Sequence, residues 1–393
     1  MRKLIFLKTL TAMGLAASLA AAIGPAAAQD TVKIGMILPM TGPFASTGRQ
    51  IEGAAKLWMQ QNGAMVAGKK IELLVKDDAS TPDITKRLAQ ELIVNDKVSF
   101  LAGFGLTPLA LATAPLATQA KLPMIVMGAG TSMITDSSPF IVRTGFTLPQ
   151  TTFPIADWAA KNKIKKAVSL VTDYGPGVDA ENTFKSRFTA AGGQVLAELR
   201  VPLRNPDFAP FLQRVRDASP DAVFVFVPSG VGSILMKQFA ERGLDKAGIR
   251  LIGPGDVTDD DILNDMGDVA LGVVTSHHYS AAHPSAMNKA YVEAFRKMNG
   301  MRPNFHSVGG YDGMQLIYKA LAATKGDTDG EKLIAAMKGL SWESPRGPMS
   351  IDPQTREPVQ NLYIRKVERV GDQLYNVEFE TLTAVKDPTK VPK

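Results

Sequence analysis

Apolar and polar positions alternate in two recurrent patterns along this chain. The run "VKIGMILP" at 32–39 is apolar except for Lys33, which is typical of a buried β-strand. The segment that follows places Ile51, Ala54, Ala55 and Trp58 at helical spacing on one face. A helix is therefore predicted to begin near Gly48, directly after the first strand.

The same alternation continues through both halves of the chain. Further strands are predicted at 70–78, 98–105, 122–130, 166–173, 193–202, 221–230 and 249–256, with helical patterns between them. Strands that alternate with helices of this length indicate parallel sheets joined by right-handed crossovers. The register restarts near Phe146, so two α/β lobes are expected, and "LYIRKVERVGDQLYNVEFETL" after Asn361 predicts a strand pair around a Gly-Asp turn.

The first 28 residues have the composition of a secretory signal peptide. Arg2, Lys3 and Lys8 precede an apolar stretch, and Ala26-Ala27-Ala28 offers a small-residue cleavage site. No cysteine follows that site, which excludes a lipid-anchored lipoprotein. Removal of this segment lowers the formal net charge from +6 to about +3. A positive charge this small does not indicate binding of nucleic acid. A periplasmic protein of about 365 residues is expected, large enough for its own core.

The sequence lacks the motifs of several kinds of catalytic, cofactor and metal site. The absence of cysteine excludes disulfides, thiolate metal sites and a cysteine nucleophile. The chain has no P-loop, no complete dinucleotide fingerprint around Gly103-Phe104-Gly105 and no G-x-S-x-G elbow. A zinc site from His277, His278 and His283 has poor spacing, and Asp259–Asp261 lacks the spacing of a calcium loop. The sequence predicts no enzyme and no cofactor.

Six predicted loops combine glycine with hydroxyl or acidic residues. They follow strands in both halves, at 41–48, 103–108, 127–132, 173–178, 228–233 and 254–260. In open α/β sheets ligands bind beyond the carboxyl ends of the strands, where free helix N–H groups favour anions. The same residue types also form ordinary turns and helix caps that bind no ligand, so this alternative stays open.

Taken together, the chain resembles the type I periplasmic substrate-binding proteins of ABC importers, in the branched-chain amino acid (leucine/isoleucine/valine) class. The resemblance covers essentially the whole mature length. It is carried by "VKIGMILPMTGPFASTGRQIEGAAKLWMQQNG", "IELLVKDDASTPDITKRLAQELI", "FLAGFGLTPLALATAPLATQAKLPMIVMGAGTS", "VTDYGPG", "IGPGDVTDD" and "GYDGMQLIYKAL". It implies two Rossmann-like lobes with parallel central sheets and three hinge crossings. Lobe 1 would comprise 29–148 plus 279–358, and lobe 2 would comprise 149–278 plus 359–393.

The resemblance also implies where a ligand binds. Family contact positions map onto ten residues of the six loops, and no metal is expected. The implied ligand-binding residues are Ser46, Thr47, Phe104, Thr107, Gly128, Thr131, Ser132, Tyr174, Ser229 and Asp256.

Two departures from the family pattern bear on the ligand. The acid that pairs with an amino acid's ammonium is replaced by Gly255, with Asp256 one residue later, and Thr47 replaces a common aromatic residue. A buried ammonium without a partner is costly. The ligand is therefore expected to be an amino acid or an amine-free acid such as an aromatic carboxylate, and the position of Asp256 decides between them.

The resulting hypothesis is a monomeric periplasmic solute-binding protein that delivers a small carboxylate to an ABC permease in the inner membrane. Closure of the lobes on the ligand is the implied mechanism. A periplasmic sensor that presents its ligand to a membrane receptor is an alternative, and a secreted hydrolase using His277 or His278 is a second one.

Overall fold

Two sheets of mostly parallel strands, each covered by helices, form the protein. The computed structural model describes residues 30–390, and the predicted signal peptide at 1–28 lies outside them. The predicted α/β fold class with two parallel central sheets is confirmed. Among residues 30–390, no helix combines the length and apolar character that crossing a membrane requires.

The first sheet has six strands in the order β2-β3-β1-β4-β5-β6. All neighbours are parallel except β2, which pairs antiparallel with β3. The strands are β1 (Thr31–Leu38), β2 (Met65–Val66), β3 (Lys69–Asp77), β4 (Phe100–Gly103), β5 (Met124–Val126) and β6 (Ile141–Arg143). The intervening helices are α1 (Ala45–Asn62), α2 (Pro82–Val94), α3 (Thr107–Ala120) and a 3-10 helix (Ser132–Ser137).

The second sheet has nine strands, with a parallel part and an antiparallel part. The parallel strands are β7 (Lys166–Thr172), β8 (Gln194–Val201), β9 (Ala222–Phe226), β10 (Arg250–Pro254) and β11 (Val274–His277). The helices α4 (Leu148–Lys161), α5 (Gly175–Ala190), α6 (Ala209–Ala218), α7 (Gly232–Glu241) and α8 (Leu263–Met266) connect and cover them.

The antiparallel part follows three further helices. These are α9 (Ala286–Asn299), α10 (Phe305–Ala323) and α11 (Gly330–Met337), and the strands are β12 (Ser341–Ser344), β13 (Gly347–Ile351), β14 (Pro358–Val370) and β15 (Gln373–Val385). Strand β14 pairs with β11, β13 and β15. The predicted strand pair around a Gly-Asp turn is confirmed by β14 and β15.

The chain passes between the two sheets more than once. It leaves the first sheet after β6 through α4, and it returns after β11, since α10 packs along α1. Met314 and Ile317 of α10 share a core with Ile34 and Met36 of the first sheet. Strands β12 and β13 join the second sheet, although Trp342 belongs to the core of the first. The lobe boundaries implied at 148, 278 and 358 stay a prediction.

Helix α1 begins earlier than the sequence pattern predicts. Its first residue is Ala45 rather than a residue near Gly48, so Ser46 and Thr47 lie in its first turn. A side chain at Gly48 would overlap the carbonyl oxygen of Pro39. The glycine therefore permits close packing of the helix on the end of β1, and it does not mark the start of the helix.

Candidate functional site

A cleft between the two sheets lies beyond the carboxyl ends of their parallel strands. The space between its walls, counted together with the part that opens to solvent, is about 340 Å³. The residues that line it from the first sheet and its neighbours are Phe44, Thr47, Gly105, Leu106, Thr107, Gly128, Ala129, Gly130, Phe146, Leu148 and His306. Those from the second sheet are Tyr174, Pro176, Phe226, Pro228, Ser229 and Asp256.

The walls of the cleft are mainly apolar and aromatic. The rings of Tyr174 and Phe226 are nearly parallel, with centroids 6.1 Å apart and an interplanar angle of 24°. Phe44 and Phe146 contribute two further aromatic side chains, and Leu106 lies among them. Aromatic surfaces of this kind favour a flat apolar ligand body, because rings pack by offset stacking or edge-to-face contact.

Three helices begin at the cleft without a capping side chain. Helices α1, α3 and α5 have Phe44, Leu106 and Tyr174 at their N-caps, and none of these side chains accepts a hydrogen bond from the first turn. Some first-turn positions offer no free amide, because α3 and α5 have proline at the second position and Leu109 N donates to Leu106 O. Unsatisfied amides and the helix dipole together favour an anion at such a position. The lining contains no lysine or arginine, so the free first-turn amides and lining hydroxyls such as those of Thr47 and Thr107 are its donors for a carboxylate.

A buried arginine fixes the loop that follows β5. Arg143 Nη2 donates to the carbonyl oxygen of Thr131 at 2.7 Å, and Nη1 donates to those of Ala129 and Phe146. Its Nε contacts Glu357 Oε2 at 2.6 Å, and both side chains are buried. Breaking such a buried pair is strongly destabilising. The pair therefore holds the wall formed by 128–131 in one conformation.

The acidic side of the cleft carries an unusual carboxyl group. Burial raises the pKa of Asp256 to about 7, against partial compensation by His306 and Arg365. Burial likewise lowers the pKa of His306 to about 3, although Asp256 acts in the opposite direction. His277 Nε2 lies 3.4 Å from Asp256 Oδ2, and burial lowers the pKa of His277 well below its usual range. Both imidazoles are thus neutral at pH 7.

The structure explains why Asp256 follows a glycine. Gly255 and Asp256 open a 3-10 helix (Gly255–Thr258) after β10. A Cβ at position 255 would overlap Nη2 of Arg365. The guanidinium leaves no room for a side chain there, and the acid enters the cleft from position 256 instead.

Six of the ten residues implied by the resemblance line the cleft together: Thr47, Thr107, Gly128, Tyr174, Ser229 and Asp256. Ser46, Phe104, Thr131 and Ser132 lie outside the lining. Thr131 Oγ1 is hydrogen-bonded to Thr107 Oγ1 at 2.7 Å, so it supports a lining hydroxyl from behind. Phe104 is fully buried at φ +62° among core residues.

Ser46 and Ser132 connect elements on opposite sides of the cleft. Ser46 Oγ donates to Asp261 Oδ2, which joins α1 to the segment after β10. The Ser132 amide donates to Asp179 Oδ2 of α5 at 2.8 Å, and its hydroxyl donates to Asp387 Oδ2 at 2.6 Å. Both serines therefore hold the two sides of the cleft together.

Several lining residues were missed by sequence reasoning. Phe226 ends an apolar strand, so the strand-end rule could have found it. Phe44 lies within the first loop and Phe146 beside the register change, but the analysis of polar residues passed over both. His306 follows the N-cap Asn304 of α10, and no local signal distinguishes it. Across residues 30–390, no three His, Asp or Glu side chains come together in an arrangement that could hold a metal ion.

Comparisons with known proteins agree with this geometry. The family model of the periplasmic binding proteins matches residues 31–372. The Leu/Ile/Val-binding protein homolog 6 of Brucella melitensis is 44% identical over 391 residues, which cover 98% of each chain.

Two solved structures are also similar. A solute-binding protein of an ABC transporter from Rhodopseudomonas palustris BisB5, in complex with 3,4-dihydroxybenzoic acid, is 66% identical with a TM-score of 0.91, covering 92% of this chain and 100% of that one. A second R. palustris solute-binding protein, in complex with 4-hydroxybenzoate, is 42% identical with a TM-score of 0.89 and the same coverage. With its fold, cleft and family match in agreement, the chain belongs to the periplasmic binding protein family.

Proposed function

We propose that this protein is the periplasmic solute-binding component of an ABC importer and that its ligand is a small aromatic carboxylate of the benzoate type. The observation that carries this proposal is the cleft between the sheets. It combines stacked aromatic walls with uncapped helix N-termini, and its lining contains no lysine or arginine. A benzoate ring matches the walls, and its carboxylate matches the amides at the starts of α1, α3 and α5.

The two similar R. palustris proteins support the same ligand class. Each was solved with a hydroxylated benzoate, and each covers 92% of this chain. Binding is proposed without chemical conversion, because the relatives are solute-binding proteins.

Transport requires a partner in the membrane. The proposed partner is an ABC permease, which receives the ligand from the closed, monomeric binding protein in the periplasm. Closure would occur between the lobes expected from the sequence, and the ligand would shift the population toward the closed state by binding it more tightly.

An α-amino acid is the second candidate ligand. Asp256 Oδ2 is buried, faces the cleft and lacks a hydrogen-bond partner within residues 30–390, so it could pair with an ammonium group. The relative from B. melitensis carries the name of a Leu/Ile/Val-binding homologue. Apart from Asp256, the residues that line the cleft include no acidic group that could pair with the ammonium of an amino acid.

A thermal-shift panel separates the two candidates. Benzoate, 4-hydroxybenzoate, leucine, valine and acetate are compared at equal concentrations, because a ligand that binds only the folded state raises the melting temperature. We expect aromatic acids to raise it and the branched-chain amino acids to leave it unchanged. Stabilisation by leucine alone would favour the amino acid and refute the benzoate class.

The Thr107→Val variant tests the carboxylate end of the cleft. It removes the lining hydroxyl and keeps a similar shape, so benzoate should bind more weakly by about 1–2 kcal/mol in calorimetry. Thr113→Val is the matched control, since Thr113 is buried in the same helix and its hydroxyl donates to the Leu109 carbonyl oxygen. Equal affinities in both variants would place the carboxylate elsewhere.

A further inference from the structure

Two residues that line the cleft each carry a buried polar atom without a protein partner. Asp256 Oδ2 and His306 Nδ1 are each buried and have no hydrogen-bond partner among residues 30–390. Both residues line the cleft, and the two side chains are 4% and 5% exposed. Buried polar groups in native proteins are almost always hydrogen-bonded, so a ligand group is expected to satisfy these two atoms.

The chemistry of Asp256 and His306 indicates which group of the ligand contacts them. Asp256 offers the carboxylate of a ligand no positive charge in either protonation state, whereas the N-termini of α1 and α3 favour an anion, so the ligand carboxylate points toward those helices. The opposite end of the ring then lies at Asp256 and His306. A hydroxyl group suits both side chains, because it can donate to a carboxylate and also exchange a hydrogen bond with a neutral imidazole.

A neutral donor fits this place better than a cation. The Arg365 guanidinium already acts on Asp256 from behind, where it favours the charged carboxylate. Arg365 is itself buried, so a second cation at Asp256 would meet an existing positive charge in a poorly solvated site. A hydroxyl group brings no such charge.

The surroundings leave both atoms without a protein partner at hydrogen-bonding distance. A Cβ at Gly128 would lie 3.3 Å from His306 Nδ1, so the glycine leaves space in front of the imidazole. His277 Nε2 stands 3.4 Å from Asp256 Oδ2, beyond ordinary hydrogen-bonding distance, and leaves that oxygen available.

We propose that Asp256 and His306 form a hydroxyl-recognition subsite, so that the protein selects benzoates with a ring hydroxyl opposite the carboxylate over unsubstituted benzoate. This inference rests on the proposed function, whose ligand class it narrows. A site built to bind a hydroxyl rejects the analogue that lacks it, since its buried polar groups are then left unpaired.

Calorimetric titration with benzoate, 4-hydroxybenzoate and 3,4-dihydroxybenzoate tests the subsite. Of the two hydroxylated acids, the one that binds more tightly to the wild type should bind at least about tenfold more strongly than benzoate. In Asp256→Ala this ratio should fall to within about twofold, mainly because the hydroxylated acid loses affinity. His306→Gln is a second variant that should also reduce the ratio, in case the first fails to fold.

Asp260→Asn is the matched control. Asp260 is equally buried and lies four residues along the same segment, but it is outside the lining, where it accepts from Ala281 N and Asn376 Nδ2. In Asp260→Asn the ratio of the affinity for the hydroxylated acid to the affinity for benzoate should equal that of the wild type. A wild-type ratio near one, or an unchanged ratio in both Asp256→Ala and His306→Gln, would overturn the subsite. Failure of every aromatic acid to bind would instead refute the proposed function.

Discussion

At the scale of single residues, Asp256 is a buried acid in the cleft whose hydrogen bonds are incomplete. It is almost fully buried, and Oδ2 has no partner within residues 30–390. The groups that face it are His306 of α10, His277 of β11, Arg365 of β14 and Tyr174 at the start of α5. Their effects do not offset burial, so the protonated form is favoured in the ligand-free protein.

The raised pKa of Asp256 predicts a pH-dependent cost in stability. The folded state holds this proton up to about pH 7, whereas the unfolded state releases it near 3.8. Stability from this group is therefore complete below about pH 4 and is lost as the pH rises toward 7. The free energy of unfolding of Asp256→Asn, relative to wild type, should increase over that range by up to about 4 kcal/mol, at 1.36 kcal/mol per pKa unit.

Asp221 provides a control of opposite sign. Its Oδ2 accepts from the amides of Lys165 and Lys166 at 2.8 Å each, and these bonds lower its pKa. Its stabilisation is present above pH 4 and is lost as the pH falls through the folded pKa. Urea unfolding of both Asn variants at several pH values should give differences of opposite slope. Parallel curves for wild type and Asp256→Asn would contradict the assignment.

At the scale of secondary-structure elements, α10 reaches the cleft through its N-terminus. Asn304 Oδ1 accepts from the amides of His306 and Ser307, while its Nδ2 donates to Asp259 Oδ2 at 2.9 Å. The same cap therefore starts the helix, positions His306 and donates to one oxygen of a buried acid. Burial raises the pKa of Asp259 well above its usual range, with Asp261 acting in the same direction.

The double role of this cap predicts an unusually costly substitution. Asn304→Ala removes a helix cap and also a donor to a buried carboxyl group, so we expect a loss of about 2–4 kcal/mol in the free energy of unfolding. Asp329→Ala is the matched control, because Asp329 caps α11 through Lys332 N in an exposed position. It should cost about 1 kcal/mol. Similar losses in the two variants would show that the Asp259 contact contributes little.

The sequence patterns predicted elements and loops better than they predicted side-chain directions. Periodicity located β1, α1, the strands β7 to β10 and the pair β14 and β15 to within a few residues, because burial imposes a period on apolar positions. It did not predict β2, β6, β11, β12 or β13, none of which has more than five residues. The six loops contain Thr47 and Ser46 alike, yet only Thr47 faces the cleft. Which of two neighbouring side chains points inward depends on helix phase, and α1 starts three residues earlier than the pattern suggested.

At the scale of the whole molecule, bonds outside the ligand cleft join its two sides. Ser46 contacts Asp261, and the Ser132 amide contacts Asp179. Neither serine lines the cleft, and each bond links an element of the first sheet's half to an element of the second's. If the lobes open as expected, these bonds exist only in the closed state.

This arrangement predicts that Ser46→Ala and Asp179→Ala weaken all ligands by the same factor. Each change destabilises the closed state by about 1 kcal/mol, and apparent affinity falls with the population of the competent state, roughly fivefold. Ser137→Ala is the control, since its hydroxyl donates to Met133 O on an exposed part of the same 3-10 helix as Ser132 and to nothing else among residues 30–390. Affinities measured by calorimetry that stay unchanged in both variants would exclude a role in closure.

The central claim is tested most directly by calorimetric titration of the purified protein with 4-hydroxybenzoate and, separately, with leucine. The account predicts saturable binding of the aromatic acid at one site per chain, with a negative heat-capacity change from burial between Tyr174, Phe226 and their neighbours. It predicts no heat of binding for leucine. Saturable binding of leucine together with no binding of 4-hydroxybenzoate would contradict it.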